Sequence, residues 1–330
     1  YVIVRSSCNV PINEGVVTNA YRLKQAVPTL QWLRDAGARV IVIAHIGRDE
    51  ADTLRPVCEA FNELIPMTWG GVITAPEFAA VHSALQDGDI VLAENLRQDP
   101  RETANDADFA AAIAAYGDIY VNDAFDNVHR NHASMLTLPT LLPSYAGITL
   151  MDEVSHLEKA MTPVSPSLLI LGGAKFETKM PLVEKYLALY DRVFVTGALL
   201  NDILKAEGYE VGTSLVSEIS LAGADFLQNP KLVRAVDVVV ESERGIKSVL
   251  ISDIAVDEKV IDMGLQTVAA LAPLIANAKT ILWNGPLGLY ENGVPGSTQA
   301  VANLVAVSEA FSVLGGGDTV AAVEELGLND

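Results

Sequence analysis

Short apolar runs recur along the chain, and each is followed by a polar or glycine-rich cluster and usually by a helical pattern. The runs cover residues 1–4, 40–44, 90–93 and 119–121 in the first half, and 168–171, 193–195, 238–240, 281–283 and 311–314 in the second. Runs without polar alternation are typical of strands that are buried on both faces of a parallel sheet. Strands that alternate with helices therefore predict an α/β fold with crossover helices.

The polar clusters all lie at the carboxyl ends of the predicted strands, where doubly wound sheets bind their ligands. The clusters are RSSCNVP (5–11), HIGR (45–48), ENLR (94–97) and NDAFDNVHRNHAS (122–134), then GGAK (172–175), TGALLN (196–201), ES (241–242), NGPLG (284–288) and GGGDT (315–319). We therefore expect one functional edge in each half of the chain.

A domain boundary is predicted near residues 141–160. Pro143 and Ser144 are turn residues, and an amphipathic stretch begins at Met151. The 330 residues, half of them hydrophobic, are enough for two cores. We predict two doubly wound, Rossmann-like parallel-sheet domains joined by a connecting helix, with the bounds 1–148, 149–162 (the helix) and 163–330.

Composition excludes several classes of partner. The net charge of −20 argues against nucleic acid or an anionic membrane as the main partner. No apolar run approaches the roughly 20 residues of a membrane span, and no signal-peptide pattern opens the chain. Cys8 and Cys58 form no metal-binding spacing and predict no disulfide framework, which favours a reducing, cytoplasmic setting. The chain starts at Tyr1, already in a strand-like run, so we expect further residues before it.

Cationic side chains concentrate in the clusters of the first half. They are Arg22 near the start of the first helix, and His45, Arg48, Arg97, His129, Arg130 and His132 in the clusters themselves. Arginine binds carboxylate and phosphate in a bidentate manner. The repetition at successive strand ends predicts a pocket for a small, multiply charged anion. The alternative is a set of scattered ion-pair partners for the many acidic residues.

The second half has a different character. In SLLILGGAKFETK (167–179) a buried strand, a glycine turn and a helix start with Lys175 and Lys179 form a seat for an anion. The alternative is an ordinary strand-to-helix turn with solvated lysines. Asp318 follows three glycines and is a candidate to hold Mg²⁺ beside a polyphosphate, or else to cap the next helix. A small-anion half and a nucleotide half together suggest phosphoryl transfer with domain closure.

A set of motifs occurs along the chain in a fixed order and spacing. They are NVPINEGVVTNAYRLKQAVPTL (9–30), AHIGR (44–48), ENLR (94–97), VNDAF…HRNHAS (121–134), LGGAK…K (171–179), WNGPLG (283–288) and GGGDTVAAVEELGL (315–328). Together they resemble the phosphoglycerate kinase family over essentially the whole chain. The resemblance implies two doubly wound domains and the glycolytic interconversion of 3-phosphoglycerate plus ATP with 1,3-bisphosphoglycerate plus ADP.

The resemblance also implies site residues at the matching positions. Catalysis would use Arg22 at the attacking carboxylate and Lys175 at the transferring phosphoryl group. Residues for 3-phosphoglycerate would be Ser7, Asn9, Arg22, His45, Ile46, Gly47, Arg48, Arg97 and Arg130. Residues for the nucleotide would be Gly173, Ala174, Lys175, Lys179, Gly197, Asn284, Pro286, Glu291, Gly316, Gly317, Asp318 and Thr319, with Mg²⁺ bound through the nucleotide at Asp318. We expect a monomer.

Three departures from the family pattern stand out. Where the family has R-x-D-F-N, this chain has Ser7 in place of the Asp that binds the substrate hydroxyl, so we expect weaker substrate binding or altered specificity. Where the family has GGGMA, residues 196–200 read TGALL, which places side chains near the adenine pocket. The chain stops at Asp330, where the family continues with a glycine-rich loop that donates N–H groups to the phosphoryl group. Loss of one such donor costs on the order of 10²–10³ in rate. We therefore expect either a fragment of low activity or a tail that lies outside the given sequence.

Two other functions are compatible with parts of the sequence. A degenerate or truncated relative would bind nucleotide or phosphoglycerate without efficient turnover, as Ser7 and the absent tail suggest. A nicotinamide-dependent oxidoreductase would fit the alternation of strands and helices. However, the sequence contains no G-x-G-x-x-G followed by an acidic residue about 20 positions later.

Overall fold

The computed structural model describes residues 1–173, 176–218, 220–289 and 296–328, with only the backbone of residues 176–181 and 318. The contacts between residues divide the chain into two units, Tyr1–Ser155 and His156–Asp330. The division falls inside a helix that spans Ile148–Met161.

The first unit contains a parallel sheet of six strands. Its strands, with a short antiparallel pair after the first, are β1 (Val2–Ser6), β2 (Ile12–Asn13), β3 (Val16–Val17), β4 (Val40–Ile43), β5 (Thr68–Gly71), β6 (Ile90–Ala93), β7 (Ile119–Asp123) and β8 (Ser144–Ala146). The order in the sheet is β5-β6-β4-β1-β7-β8, and β2 pairs with β3 outside it. Strands β4, β5 and β6 lie on one side of β1, and β7 and β8, which come later in the chain, lie on its other side. The topology of the sheet therefore reverses at β1.

Helices cover both faces of this sheet. They are α1 (Tyr21–Asp35), α2 (Arg55–Asn62), α3 (Pro76–Ala84), α4 (Pro100–Thr103), α5 (Ala107–Ala114) and α6 (Leu138–Leu141). The next helix, α7 (Ile148–Met161), contains the division between the two units. Successive side chains of a strand point to opposite faces. Val2 and Val4 accordingly pack into the core that contains Leu23 of α1, whereas Ile3 packs into the core that contains Phe109 of α5. Burial on both faces explains why β1 has no polar alternation.

The second unit combines a parallel and an antiparallel sheet. Its strands are β9 (Ser167–Leu171), β10 (Arg192–Val195), β11 (Leu232–Val233), β12 (Asp237–Ser242), β13 (Gly245–Leu250), β14 (Lys259–Met263), β15 (Thr280–Asn284) and β16 (Phe311–Gly315). Its helices are α8 (Phe176–Leu189), α9 (Ala198–Ala206), α10 (Leu265–Asn277), α11 (Gly296–Ala306) and α12 (Gly317–Glu325). The parallel sheet has the order β11-β10-β9-β15-β16, so its topology reverses between β9 and β15.

The predicted fold class is confirmed, because each unit contains a doubly wound parallel sheet. One strand was predicted in the wrong kind of sheet. The run 238–240 lies in β12, which pairs antiparallel with β13 and β14, so cluster 241–242 does not lie at the edge of the parallel sheet. Only Glu243 and Arg244 separate β12 from β13, and a connection that short can join only antiparallel strands.

Candidate functional site

The carboxyl edge of the first sheet holds a buried arginine next to His45. Arg5 lies on β1 and is fully buried, and its Nη2 lies 2.7 Å from Nδ1 of His45, which follows β4. Burial, and then the positive charge of Arg5, lowers the pKa of His45 to about 2. Because arginine only donates hydrogen bonds, Nδ1 is the acceptor and Nε2 carries the proton. His45 is therefore a neutral hydrogen-bond donor at this edge.

A buried carboxylate balances the charge of Arg5 through a serine. Arg5 Nε donates to Ser134 Oγ at 3.0 Å, and Ser134 Oγ donates to Glu102 Oε1 at 2.6 Å. The backbone N–H of Ser134 donates to Glu102 Oε2 at 3.0 Å, and Glu102 is fully buried. His132 Nδ1 lies 3.7 Å from Glu102 Oε1, and burial lowers the pKa of His132. His129, by contrast, is exposed.

Arg97 lies among other cations at the same edge. It follows β6, and its Nη1 donates to Gly47 O. Burial, and then the charges of Arg130, Arg5 and Arg48, lowers the pKa of Arg97. Among the described residues the buried Nε of Arg97 has no hydrogen-bond partner. Cations gathered at one edge in this way attract a multiply charged anion.

The loop that carries Ile46, Gly47 and Arg48 is fixed through its backbone. Ile46 N donates to Asn95 Oδ1 at 3.2 Å, and Gly47 N donates to Asn9 Oδ1 at 3.0 Å. Gly47 has a φ of +60°, and a Cβ there would lie 1.7 Å from Asp52 Oδ2. Glycine is therefore favoured at this position. The Asp52 carboxylate also accepts the N–H of Arg48 at 3.0 Å.

A second group of predicted residues meets at the ends of β1 and β7. Arg22 Nη1 donates to Asn9 O at 2.9 Å and to Asp126 Oδ2 at 3.2 Å. Ser7 Oγ donates to Asp126 Oδ1 at 2.7 Å. Ser7, Asn9 and Arg22 are therefore brought together by contacts with Asp126 and with the backbone of Asn9.

The structure adds residues that the sequence reasoning did not select for the first edge. They are Arg5, Asn95, Glu102, Asp126 and Ser134. Arg5 could have been noticed, because it is a charged residue in a run that reads as a buried strand. Nothing in the sequence pairs Glu102 with Ser134, since their contact depends on how the segment after β6 folds back over the sheet.

In the second unit, two glycine turns are in backbone contact. Gly172 follows β9, and its N–H donates to Asn284 O at the end of β15 at 2.7 Å. A Cβ on Gly172 would lie 2.3 Å from Pro286 O, and a Cβ on Gly285 would lie 2.6 Å from the carbonyl carbon of Gly172. The crevice where the topology reverses is therefore lined by closely approaching main chain, at the place where doubly wound sheets bind their ligands.

The start of α9 joins the same crevice. Gly197 has a φ of +64°, and its N–H donates to Leu287 O at 3.2 Å, while Leu199 N donates to Gly173 O at 3.2 Å. Thr196 is buried, and its Oγ1 donates to Leu287 O at 2.8 Å. Leu199 and Leu200 pack into the hydrophobic cores. Of the side chains in TGALL, only the methyl group of Ala198 lines the adjacent pocket.

That pocket has a volume of about 260 Å³ and is lined mainly by apolar groups. It includes the predicted residues Gly173, Gly197 and Pro286, together with Leu215 and Met263. A small apolar cleft beside glycine turns suits a flat aromatic base.

The start of α12 completes this edge. Gly316 is the N-cap with a φ of +92°, and the helix begins at Gly317. Asp318 therefore lies within the first turn, and its interpretation as the N-cap is wrong. Thr319 is fully buried, and its Oγ1 accepts the N–H of Gly285 at 2.9 Å, which ties the helix to the glycine turn after β15.

Several predicted nucleotide residues cannot be placed. Ala174, Lys175 and Glu291 lie outside the described residues, as do the side chains of Lys179 and Asp318. Within the described part of the chain, no three or more His, Cys, Asp and Glu side chains lie together so that they could hold a metal ion. No helix in that part is both long and apolar enough to cross a membrane.

Comparisons with known proteins agree with this geometry. A family model described as phosphoglycerate kinase matches residues 1–330. The phosphoglycerate kinase of Thermomicrobium roseum is 40% identical over 350 aligned residues, which cover 99% of this chain and 88% of that protein. A structure of phosphoglycerate kinase from Coxiella burnetii, 33% identical, gives a TM-score of 0.84 and covers 100% of this chain and 88% of its own.

A more distant structure has the same fold. Phosphoglycerate kinase from Pyrococcus horikoshii OT3, 24% identical, gives a TM-score of 0.86 over 98% of this chain and 87% of its own. The family model matches the chain over its full length, and a relative is 40% identical over 99% of it, so the family of the chain is established. The chain belongs to the phosphoglycerate kinase family.

Proposed function

We propose that this chain catalyses the reversible transfer of a phosphoryl group between ATP and the carboxylate of 3-phosphoglycerate, which gives 1,3-bisphosphoglycerate and ADP in glycolysis and gluconeogenesis. The observation that carries the proposal is the cation cluster around Arg97 at the carboxyl edge of the first sheet. A cluster of this kind in a chain of net charge −20 is suited to a small substrate with phosphate and carboxylate groups.

The first unit supplies the groups that hold the acid. Arg48, Arg97 and Arg130 neutralise the phosphate of the substrate, and His45 adds a hydrogen bond from Nε2 without adding charge. Arg22, held by Asn9 O and Asp126, lies at the attacking carboxylate, where it reduces repulsion between that group and the incoming phosphoryl group. Asn9 supports this arrangement through Gly47.

The second unit supplies the nucleotide site. The base occupies the apolar pocket beside Gly197, and the phosphates follow the glycine turns toward Gly316 and Gly317 at the start of α12. By resemblance to the family, Lys175 stabilises the transferring phosphoryl group, Lys179 and Asn284 contact the phosphates, and Glu291 contacts the ribose.

Magnesium fits this arrangement as a partner of the nucleotide. Mg²⁺ needs only one or two carboxylates in addition to phosphate oxygens, and Asp318, in the first turn of α12, would supply one. When bound, the ion neutralises the charge of the phosphates. We further propose a monomer in the cytoplasm.

The test is a coupled assay with the purified chain, ATP, Mg²⁺ and 3-phosphoglycerate, in which a dehydrogenase reduces the bisphosphoglycerate that forms. Saturable turnover that is lost in Lys175→Ala and in Arg22→Ala would support the proposal. Absence of turnover in the unmodified chain would contradict it and would favour the alternative of a relative that binds without turnover.

A further inference from the structure

Asp126 places a carboxylate inside the cationic edge of the first unit. It lies in a short 3-10 turn, Phe125–Asn127, directly after β7. Its Oδ1 accepts Ser7 Oγ and its Oδ2 accepts Arg22 Nη1, and both of these donors are proposed substrate residues. Residues 126–128 fall between the two parts of the motif VNDAF…HRNHAS, so the resemblance to the family gave Asp126 no role.

The stability of the fold does not account for this carboxylate. The side chain of Asp126 is 34% exposed and that of Arg22 is 43% exposed. An exposed ion pair contributes little to folding. A carboxylate beside a site for a phosphate and a second carboxylate also repels that ligand. Its presence there is favourable if the ligand donates a hydrogen bond to it.

The substrate of the proposed reaction has one such donor, the hydroxyl on C2. The family pattern places an Asp at position 7 for this hydroxyl, and here Ser7 instead donates to Asp126 at 2.7 Å. The carboxylate of Asp126 therefore lies within hydrogen-bond distance of the side chain at position 7, where the family pattern has its own carboxylate.

The two oxygens of Asp126 are occupied to different extents. Among the described residues, Oδ1 accepts Ser7 Oγ and also Asn127 Nδ2 at 2.7 Å, whereas Oδ2 accepts only Arg22 at 3.2 Å. A carboxylate oxygen can accept two hydrogen bonds. One acceptor position on Oδ2 therefore lies next to the guanidinium that is proposed to bind the substrate carboxylate, whose neighbouring carbon carries the hydroxyl.

We propose that Asp126 binds the C2 hydroxyl of the phosphorylated hydroxy acid and so takes over the role of the carboxylate that is missing at position 7. The inference rests on the proposed function, because it assumes that the first unit binds 3-phosphoglycerate. Specificity for the hydroxylated acid then comes from the loop after β7 instead of the loop after β1.

The test compares two ligands by calorimetry: 3-phosphoglycerate and 3-phosphooxypropanoate, which lacks the hydroxyl. We expect the unmodified chain to bind the hydroxylated ligand about 10-fold more tightly, as a hydrogen bond to a charged group allows. In Asp126→Ala this preference is lost. Release of Arg22 in that variant affects both ligands alike, so the ratio of the two dissociation constants isolates the contact with the hydroxyl.

Rescue and control variants sharpen the test. Ser7→Asp combined with Asp126→Ala returns a carboxylate to position 7 and should restore the preference. Asp87→Ala removes a carboxylate from a comparable exposed pair with Arg39 at 2.9 Å and should leave the preference unchanged. Asp126→Asn keeps the shape of the side chain and guards against a folding defect in the alanine variant, and it should bind the two ligands with a reduced preference.

The outcomes separate the two proposals. If the unmodified chain binds 3-phosphoglycerate but shows no preference, or if Asp126→Ala and Asp126→Asn keep the full preference, the role of Asp126 is refuted and the proposed function stands. If the unmodified chain binds neither ligand, the proposed function fails, and the role of Asp126 fails with it.

Discussion

Arg5 Nη2 lies 2.7 Å from His45 Nδ1, and this contact determines the protonation of the histidine. The arginine is always protonated and can only donate, so the ring accepts at Nδ1 and keeps its single proton on Nε2. Burial and the neighbouring arginines lower the pKa of His45 from 6.5 to about 2. The first edge therefore has a hydrogen-bond donor whose state does not change across the physiological pH range.

The low pKa of His45 predicts a pH dependence of stability. Below pH 6.5 the unfolded chain binds a proton at this histidine and the folded chain does not, so the free energy of unfolding falls as the pH falls. The contribution is at most about 1.4 kcal/mol per pH unit. Urea titrations between pH 6 and pH 4.5 should show that the free energy of unfolding falls more steeply with falling pH for the unmodified chain than for His45→Gln. Equal slopes would show that His45 is protonated in the folded state.

Glu102 should be important for stability although it was not selected from the sequence. It is fully buried, and it supports Arg5 through Ser134. Removing the carboxylate in Glu102→Ala leaves a buried guanidinium without its counter-charge, which should lower the free energy of unfolding by about 3 kcal/mol or more. Glu59→Ala, at an exposed position on α2, is the control and should change it by less than about 0.5 kcal/mol. A Glu102→Ala variant as stable as this control would refute the role of the network.

Arg97 should require the shape of arginine as well as its charge. Its Nη1 donates to Gly47 O, while its Nε has no hydrogen-bond partner in the part of the chain that the structure describes. In Arg97→Lys a single ammonium group must donate to Gly47 O and also bind the substrate anion. We therefore expect KM for 3-phosphoglycerate to rise about 10-fold while KM for ATP stays the same. Steady-state kinetics with each substrate varied will test this. Arg55→Lys at an exposed position of α2 is the matched control, and equal KM values in the two variants would contradict the assignment.

The sequence predicts most strands of the two parallel sheets well and the contacts between side chains poorly. Apolar runs such as 90–93 became strands at the same residues, because burial on both faces leaves no room for polar side chains. β5 and β8 were not predicted, since TWGG and SYA are partly or fully exposed edge segments without an apolar run. The positions of Arg97 and His45 at one edge follow from strand order. The links through Asp126 and Glu102 do not, because they join loops far apart in sequence.

The contact between the two glycine turns of the second unit should be intolerant of a single methyl group. A Cβ on Gly172 would lie 2.3 Å from Pro286 O, and main chain cannot move aside as a flexible side chain can. We expect Gly172→Ala to lower the free energy of unfolding by about 2 kcal/mol or more and to raise KM for ATP, since the turns that follow β9 and β15 must separate.

Gly245→Ala provides the control for Gly172→Ala. Gly245 has a φ of +104° with nothing within 4 Å of its Cβ position. Its substitution adds backbone strain of about 1–2 kcal/mol without a collision. Gly245 is the first residue of β13, in the antiparallel sheet, so KM for ATP should not change. Urea titration and steady-state kinetics of the two variants therefore distinguish the effect of backbone strain from the effect of the collision at Gly172. If Gly172→Ala leaves KM for ATP unaltered, the close approach of the two turns is not needed to bind the nucleotide, and the phosphates must be held elsewhere.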